Sequence, residues 1–580
     1  MEKKLFFLIF LLSLVLFHCQ NTIYQKMIEE TVTEEYCTEV INNVIALLKE
    51  GYVYLDFYKS PIKPKANESY SIEAINLVSE LEAIPRKNRK FYEFIRDIIK
   101  IVRKTGDGHL KFYPEKSPGG INLGLCIFSL PFKFDVVDEL DNEDYLKETY
   151  LVITEKKNIS NNGENNSSTE YAKYYNKKIK SINGEDPFTF IVNILKDYKL
   201  THNPQSDYTY ISNSINEINI MELPLLKEEL SNITIIFEND EKITVDYSMP
   251  SVDDSKLSGL KEYYLKKIKF NINNNLPIPS LVSIQEEFMH KNDSNYKKRR
   301  KLEDNIWNLE DEEGTIKCKV DEEDKKNVLY QNSFSPENVN NFQVVMYQCI
   351  QAFYSNKYEI IIIQSHNSGG YSILCNPMTQ FFRPKIYEFI PHSQKDTDLN
   401  YEFLEQANLI YETCEPYDQE KLFRGKTDDY GNGVIHNRTK DFYMYNLYSR
   451  KSIKDFINNI LATNNTKKPT EIIIFTDGFT FSCGSGFVKG LQVFGSAIVV
   501  GYNAKQGINS SKDFDASQSN SGVEQFINSK YSKILENLGF MTPRVTNVEQ
   551  FDPNDLDDDN MKIPMEFKKY PVDELSNIHT

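Results

Sequence analysis

Three short segments carry side chains whose types and spacing suit chemistry. The first is the apolar run Glu471–Phe475, which reads as a strand, then the turn Thr476–Phe481, then Ser482 at the start of a helix. That placement presents a hydroxyl at the carboxyl end of a strand. The N–H of Cys483 and the positive end of the helix dipole then point toward an oxyanion formed when Ser482 attacks a carbonyl. The competing reading is structural, because serine is a good N-cap and Ser482 in that case only closes the helix. The second segment is Gln364-Ser365-His366-Asn367-Ser368-Gly369-Gly370, after the apolar run Ile360–Ile363. Paired glycines let backbone N–H groups approach a substrate oxygen closely. The third is Gly106-Asp107-Gly108-His109, a turn that fixes an imidazole just past a helix. Each is weak alone, since a Gly-Gly pair is more often only a turn and a lone histidine more often structural.

Elements along the chain must bring these segments together. Phe91, Phe94, Ile95, Ile98, Ile99 and Val102 fall at i, i+3, i+4, i+7, i+8 and i+11, which predicts an amphipathic helix ended by Gly106. Val40, Ile41, Val44, Leu47 and Leu48 predict another, so residues 20–115 read as a helical N-terminal unit. Residues 116–255 change to short apolar and alternating runs between Asn, Gly and Asp turns, a β-rich domain. Within it Ile182-Asn183-Gly184-Glu185 reads as the end of a strand, a turn and the start of a helix. Residues 256–340 hold Lys297–Lys301 and the acidic run Glu310–Glu313 and read as a charged linker or insert. The basic stretch is a candidate processing site. From 341 to 545 buried-type strands at Tyr358–Ile363, Glu471–Phe475 and Ala497–Val500 alternate with helical stretches, the pattern of a parallel α/β sheet. Residues 546–580 read as a C-terminal tail.

In this order the motifs resemble the tail-specific, or C-terminal processing, serine peptidases. Thr476-Asp-Gly-Phe-Thr-Phe-Ser482-Cys-Gly, followed by Val493–Gly501, is similar to that family's catalytic segment, and closest to the chlamydial protease-like activity factor branch. Gly106–His109 resembles its Asp-Gly-His motif, Gly369-Gly370 its oxyanion turn, Ile182–Glu185 the signature of its PDZ-like domain, and Leu535–Gly539 with Pro543 the segment carrying its Glu. The resemblance spans roughly residues 30 to 545. It implies a multidomain α/β protein with a crotonase/ClpP-like catalytic domain, a β-rich PDZ-like domain and the helical N-terminal unit. It also implies a serine-type endopeptidase that cleaves protein or peptide substrates through an acyl-enzyme, with no metal or organic cofactor. Ser482 is then the nucleophile, His109 the general base and Glu536 the residue that orients the imidazole. Cys483 N–H, with Gly369 or Gly370 N–H, holds the oxyanion. The Lys of the family's Ser–Lys dyad falls here at Gly507, with Lys505 two residues short, so the His-using device fits better. Gln364 and His366 replace the common Asp/Arg residues before the Gly-Gly turn. An unperturbed imidazole predicts a rate that rises as His109 loses its proton, near pH ~6.5. Two other readings stand beside this one: a catalytically inactive binding protein on the same fold, and an ester-cleaving acyl hydrolase. No lipase-type Gly-x-Ser-x-Gly surrounds Ser482.

The 580-residue composition narrows the classes further. Lys plus Arg total 67 against 84 for Asp plus Glu, and the net charge of −17 excludes a nucleic-acid backbone as partner. Lys3 and Lys4 before the apolar run Leu5–Phe17 predict a secretory signal peptide over residues 1–19 and hence a secreted protein. That run is too short for a stable membrane span of ~20 residues, and no later segment is apolar enough. Asn-x-Ser/Thr sequons such as Asn67, Asn232 and Asn437 fit glycosylation on that route. Cysteines outside the signal are odd in number, so at least one stays unpaired, and none has the C-x-x-C spacing of a zinc site. Nothing in the sequence indicates an oligomeric state.

Overall fold

Thr33, whose hydroxyl accepts the Tyr36 N–H at 3.2 Å, and the acidic pair Glu34–Glu35 start helix α1 (Glu34–Gly51). Helix α2 (Phe91–Arg103) buries the whole predicted stripe from Phe91 to Val102, and Gly106, at φ +63°, turns the chain after it. These elements belong to a computed structural model. It describes residues 26–60, 72–120, 127–140, 146–155, 170–194, 217–219, 232–247, 307–385, 392–400, 426–429, 435–439, 447–502, 511–515, 522–524, 529–552 and 564–575, with 70, 123, 201–203, 206, 215 and 390. The signal segment, Lys297–Lys301, Lys505, Gly507, Asn67, Cys126 and Cys414 lie outside the described residues. No helix among the described residues is long and apolar enough to cross a membrane.

The middle of the chain is antiparallel. Strands β1 (Ile179–Ile182), β2 (Ile233–Phe237) and β3 (Lys242–Val245) form one sheet in that order, while 132–140 pairs with 146–155 and 127–129 with 217–219. Asn183 and Gly184, at φ +51° and +82°, make the turn expected after Ile182, and a helix follows at Pro187–Ile194. This region is not an independent unit beside the helical one. Phe94 and Ile98 of α2, Phe128, Ile182 and Phe237 of the β region, and Leu535, Phe540 and Val545 from far down the chain share one apolar core.

A second core lies on a seven-stranded sheet. Strands β4 (Leu309–Glu310), β5 (Ile316–Asp321) and β6 (Lys326–Gln331) run antiparallel to one another, and β6 then begins a parallel run. Beside it lies β7 (Glu359–Gln364). Strand β8 (His392–Gln394) belongs to a separate three-stranded sheet. The parallel run continues through β9 (Ile472–Thr476) and β10 (Ile498–Gly501). Strands β11 (Gly522–Glu524) and β12 (Val545–Gln550) complete the small sheet, and β13 (Glu574–Leu575) closes the large one beside β10. Helices α3 (Val339–Tyr354), α4 (Ser372–Phe382), α5 (Leu447–Ala462) and α6 (Cys483–Val493) contribute Phe342, Met378, Ile457 and Phe487 to its core. Helix α7 (Lys530–Asn537) instead packs on α1 in the first core.

Two expected boundaries move. Residues 309–331, read as part of a charged linker, are three strands of the large sheet, because Ile316, Cys318 and Leu329 point inward between exposed or half-exposed charges. The disulfide Cys318–Cys349 fastens β5 to α3. Residues 546–580, read as a tail, supply most of β12 and all of β13.

Candidate active site

Parallel register places the carboxyl ends of the central strands level with one another. Gln364 at the end of β7 lies opposite Thr476 at the end of β9, which lies opposite Gly501 at the end of β10. Segments 365–370 and 477–482 therefore leave the sheet side by side, the usual place for a site in a parallel sheet. The Phe481 N–H donates to the Asn367 carbonyl at 2.9 Å and joins them.

Ser482 occupies the junction between this turn and α6, with φ +53° and ψ −122°, a conformation costly for any residue but glycine. Its hydroxyl makes no capping hydrogen bond, so the structural reading of Ser482 as an N-cap does not describe it. Gly369, at φ +88°, packs directly on it. A Cβ added there would lie 2.6 Å from Ser482 Cβ, 2.7 Å from the Phe481 carbonyl oxygen and 2.8 Å from Cys483 N. Gly370 is equally confined, since a Cβ there would fall 2.1 Å from the Phe334 carbonyl carbon. The glycine turn is thus threaded between the Phe334 segment and the turn that carries Ser482, where only glycine fits.

The Gly369 N–H is already used, donating to Asn367 Oδ1 at 3.0 Å. That amide sits in a buried cluster: Asn367 Nδ2 donates to Gln364 Oε1 at 2.7 Å and also to Gln331, and Gln364 Nε2 donates to Gln331 Oε1 at 2.6 Å. Of the two expected glycine donors this leaves Gly370. A disulfide, Cys375–Cys483, with Cα atoms 5.9 Å apart, ties the first turn of α4, just beyond the glycines, to the residue after Ser482. Neither this pairing nor Cys318–Cys349 can be read from spacing alone, and among the described cysteines Cys37 stays free and buried.

His109 is brought to the same place from the other core. Asp107 shapes its turn, accepting the His109 N–H at 2.9 Å and the Thr546 hydroxyl of β12 at 2.7 Å. The imidazole then packs on the ring of Phe481, the neighbour of Ser482, with centroids 4.7 Å apart. It is buried, and its Nδ1 has no hydrogen-bond partner. Burial, aided by the charges of Lys111 and Arg544, pushes its pKa down to about 3. The titration expected near an unperturbed imidazole's value is therefore not His109's in this arrangement.

Glu536 is not joined to His109. Its segment does run beside the histidine's, since Glu115 N–H donates to the Gly539 carbonyl and Lys111 and Arg544 exchange both backbone bonds. The Glu536 side chain, however, is exposed on α7 and accepts the Thr542 hydroxyl at 2.7 Å. Lys489, on the same helix as Ser482, is buried and donates to the Met565 carbonyl at 3.5 Å instead.

A second histidine, absent from the expected site, stands here. His366 Nδ1 meets Asp477 Oδ2 at 2.7 Å, and the His366 backbone N–H donates to the same oxygen at 2.9 Å. Asp477 is fully buried, and its other oxygen accepts the Phe479 N–H at 3.0 Å. Desolvation pushes the His366 pKa down, but the hydrogen bond and charge of Asp477 outweigh it and leave it raised. The strand-end rule that singled out Ser482 applies equally to these two residues.

No protein-family model matches the chain, and no curated protein sequence does. Solved structures do. Mature CPAF is similar over 93% of this chain and 93% of its own, at 12% identity and a TM-score of 0.46. Mature CPAF complexed with lactacystin gives the same identity and score over 93% and 94%. The photosystem II D1 C-terminal processing protease is similar over 94% and 93%, at 9% identity and a TM-score of 0.31. The solved structures to which this chain is similar thus include those of CPAF and of a C-terminal processing protease.

Proposed function

We propose that the chain is a serine-type endopeptidase. Ser482 attacks the scissile carbonyl, and His109 takes its proton and returns it to the leaving amine. The N–H groups of Cys483 and Gly370 hold the oxyanion of the tetrahedral intermediate. Collapse expels the amine and leaves an acyl-enzyme, which water then opens by the same steps in reverse order of roles. The observation that carries the reading is the strained Ser482 backbone at the start of α6, pressed against a glycine turn that admits no side chain. A helix cap needs neither feature.

In this reading the large sheet with α3–α6 is the crotonase/ClpP-like catalytic part, and the β1–β3 region is PDZ-like and receives an extended stretch of the substrate protein. Residues 1–19 direct secretion. Glu536, which accepts the Thr542 hydroxyl and is not joined to His109, is given no part in this mechanism. Fluorophosphonate labelling of the wild type and of Ser482→Ala, read by intact mass, tests the assignment. One adduct on the wild type and none on the variant is expected; labelling that survives in Ser482→Ala overturns it.

A further inference from the structure

Two imidazoles flank the nucleophile turn, and they are opposite in character. His109 is buried and kept neutral, whereas His366 has 41% of its side chain exposed and is anchored on a buried carboxylate. The His366 position is over-determined. Its backbone sits at φ +51°, which a residue with a Cβ adopts at a cost, and two hydrogen bonds to one oxygen of Asp477 hold it there. With Nδ1 committed to Asp477, Nε2 is the ring nitrogen left for a ligand, on a segment whose Gly369 packs on Ser482 and Cys483. Asp477, at the end of β9, is the charged group that bears on the ring among the described residues, and Phe479 is the ring packed beside it.

When doubly protonated, His366 carries a positive charge on the segment that packs against Ser482, and a ring nitrogen bearing that charge suits an anionic group on the substrate.

We propose that His366, fixed by Asp477, is a specificity residue that donates from Nε2 to a substrate carboxylate next to the scissile bond. This rests on the peptidase reading above. A histidine held by a buried carboxylate donates from its outer nitrogen when doubly protonated, and a charge-assisted bond of that kind discriminates an acid from its amide. The preference is present below the His366 pKa and is lost as pH rises through it. Two sources offer a carboxylate, an acidic side chain and the end of a peptide chain.

The experiment compares three internally quenched peptides: one with Glu beside the scissile bond and an amidated end, its Gln counterpart, and the Gln peptide with a free terminal carboxylate. kcat/KM is measured from about pH 5.5 to 8.5. A carboxylate peptide is expected to exceed the amidated Gln peptide about tenfold at the acidic end. The advantage should lie in KM and vanish at the alkaline end. The arm that carries it names the source. His366→Asn, which tolerates the backbone conformation, should bring the ratio to one at every pH, and His366→Lys should keep the preference and remove its pH dependence. A wild-type ratio near one, or a pH-dependent ratio that survives in His366→Asn, overturns the inference. Fluorophosphonate labelling separates the two readings: labelling with a ratio of one overturns this inference alone. With no labelling and no turnover the peptidase reading falls. Fluorescence anisotropy of the same peptides on the Ser482→Ala protein then still decides this contact, equal binding of all three counting against it.

Discussion

Replacing Gly369 by alanine tests the geometry of the site most directly. Its new methyl would sit 2.6 Å from Ser482 Cβ and 2.8 Å from Cys483 N, whereas non-bonded carbons settle at about 3.5–4.0 Å. Relief requires a shift on the order of 1 Å, and these neighbours are backbone and Cβ atoms with no rotamer to yield. Such a displacement moves the proposed nucleophile and oxyanion donor together, a change worth roughly 10²-fold or more in rate. The left-handed backbone at φ +88° adds about 1–2 kcal/mol of strain for alanine. The expected result is a fall in kcat/KM on a quenched peptide of about 10²- to 10³-fold, with a modest drop in urea midpoint. Gly486→Ala is the control, because a Cβ there meets nothing within 4 Å and alanine suits a helix. If Gly369→Ala kept activity within about threefold of wild type, the glycine turn would not be part of the catalytic surface.

Ser482→Gly should be more stable than Ser482→Ala by about 1 kcal/mol in chemical denaturation, since only glycine relaxes at φ +53°; equal stability would remove the strain argument. His109, with its folded pKa depressed to about 3 against an unfolded value of about 6.5, stabilises the fold fully above pH ~6.5. That stability is lost as pH falls from there toward 3. Denaturation midpoints measured across this window should fall less steeply for His109→Gln, and an unchanged slope would mean that the imidazole is not buried neutral. Opening the Cys375–Cys483 disulfide with Cys375→Ser should lower kcat more than it raises KM, because α4 and α6 then hold the proposed oxyanion donors less firmly. Full turnover by that variant would show that the cross-link is merely structural.

The parallel strands were legible because Ile360–Ile363 and Ile472–Phe475 are continuously apolar, as strands covered on both faces must be. So was α2, whose stripe is long enough for its period to stand out. Strands β4–β6 were hidden by their own surface: Lys317 and Lys319 alternate with buried Ile316 and Cys318, and the charges read as a linker. Strand β13 has two residues, too few for any period. At the site, Ser482, His109 and the glycine pair sit at turns that sequence marks. The His366–Asp477 pair joins residues 111 positions apart and leaves no spacing to recognise. Resemblance located the segment of Glu536 beside that of His109, but a segment does not fix where a carboxylate points, and Thr542 holds this one elsewhere.

The hydrogen bond from Thr546 to Asp107 bridges 439 positions of chain. During synthesis the His109 turn emerges long before the strand that anchors it, and Val53, whose N–H donates to the Thr546 carbonyl, waits for the same strand. A nascent chain therefore passes most of its translation with Ser482 still unmade or His109 unanchored. Loop closure over such a distance is slow compared with local helix formation. On the proposed peptidase function, assembly of the site is thus a late event, and a cell making the chain would be exposed to little cleavage from incomplete chains.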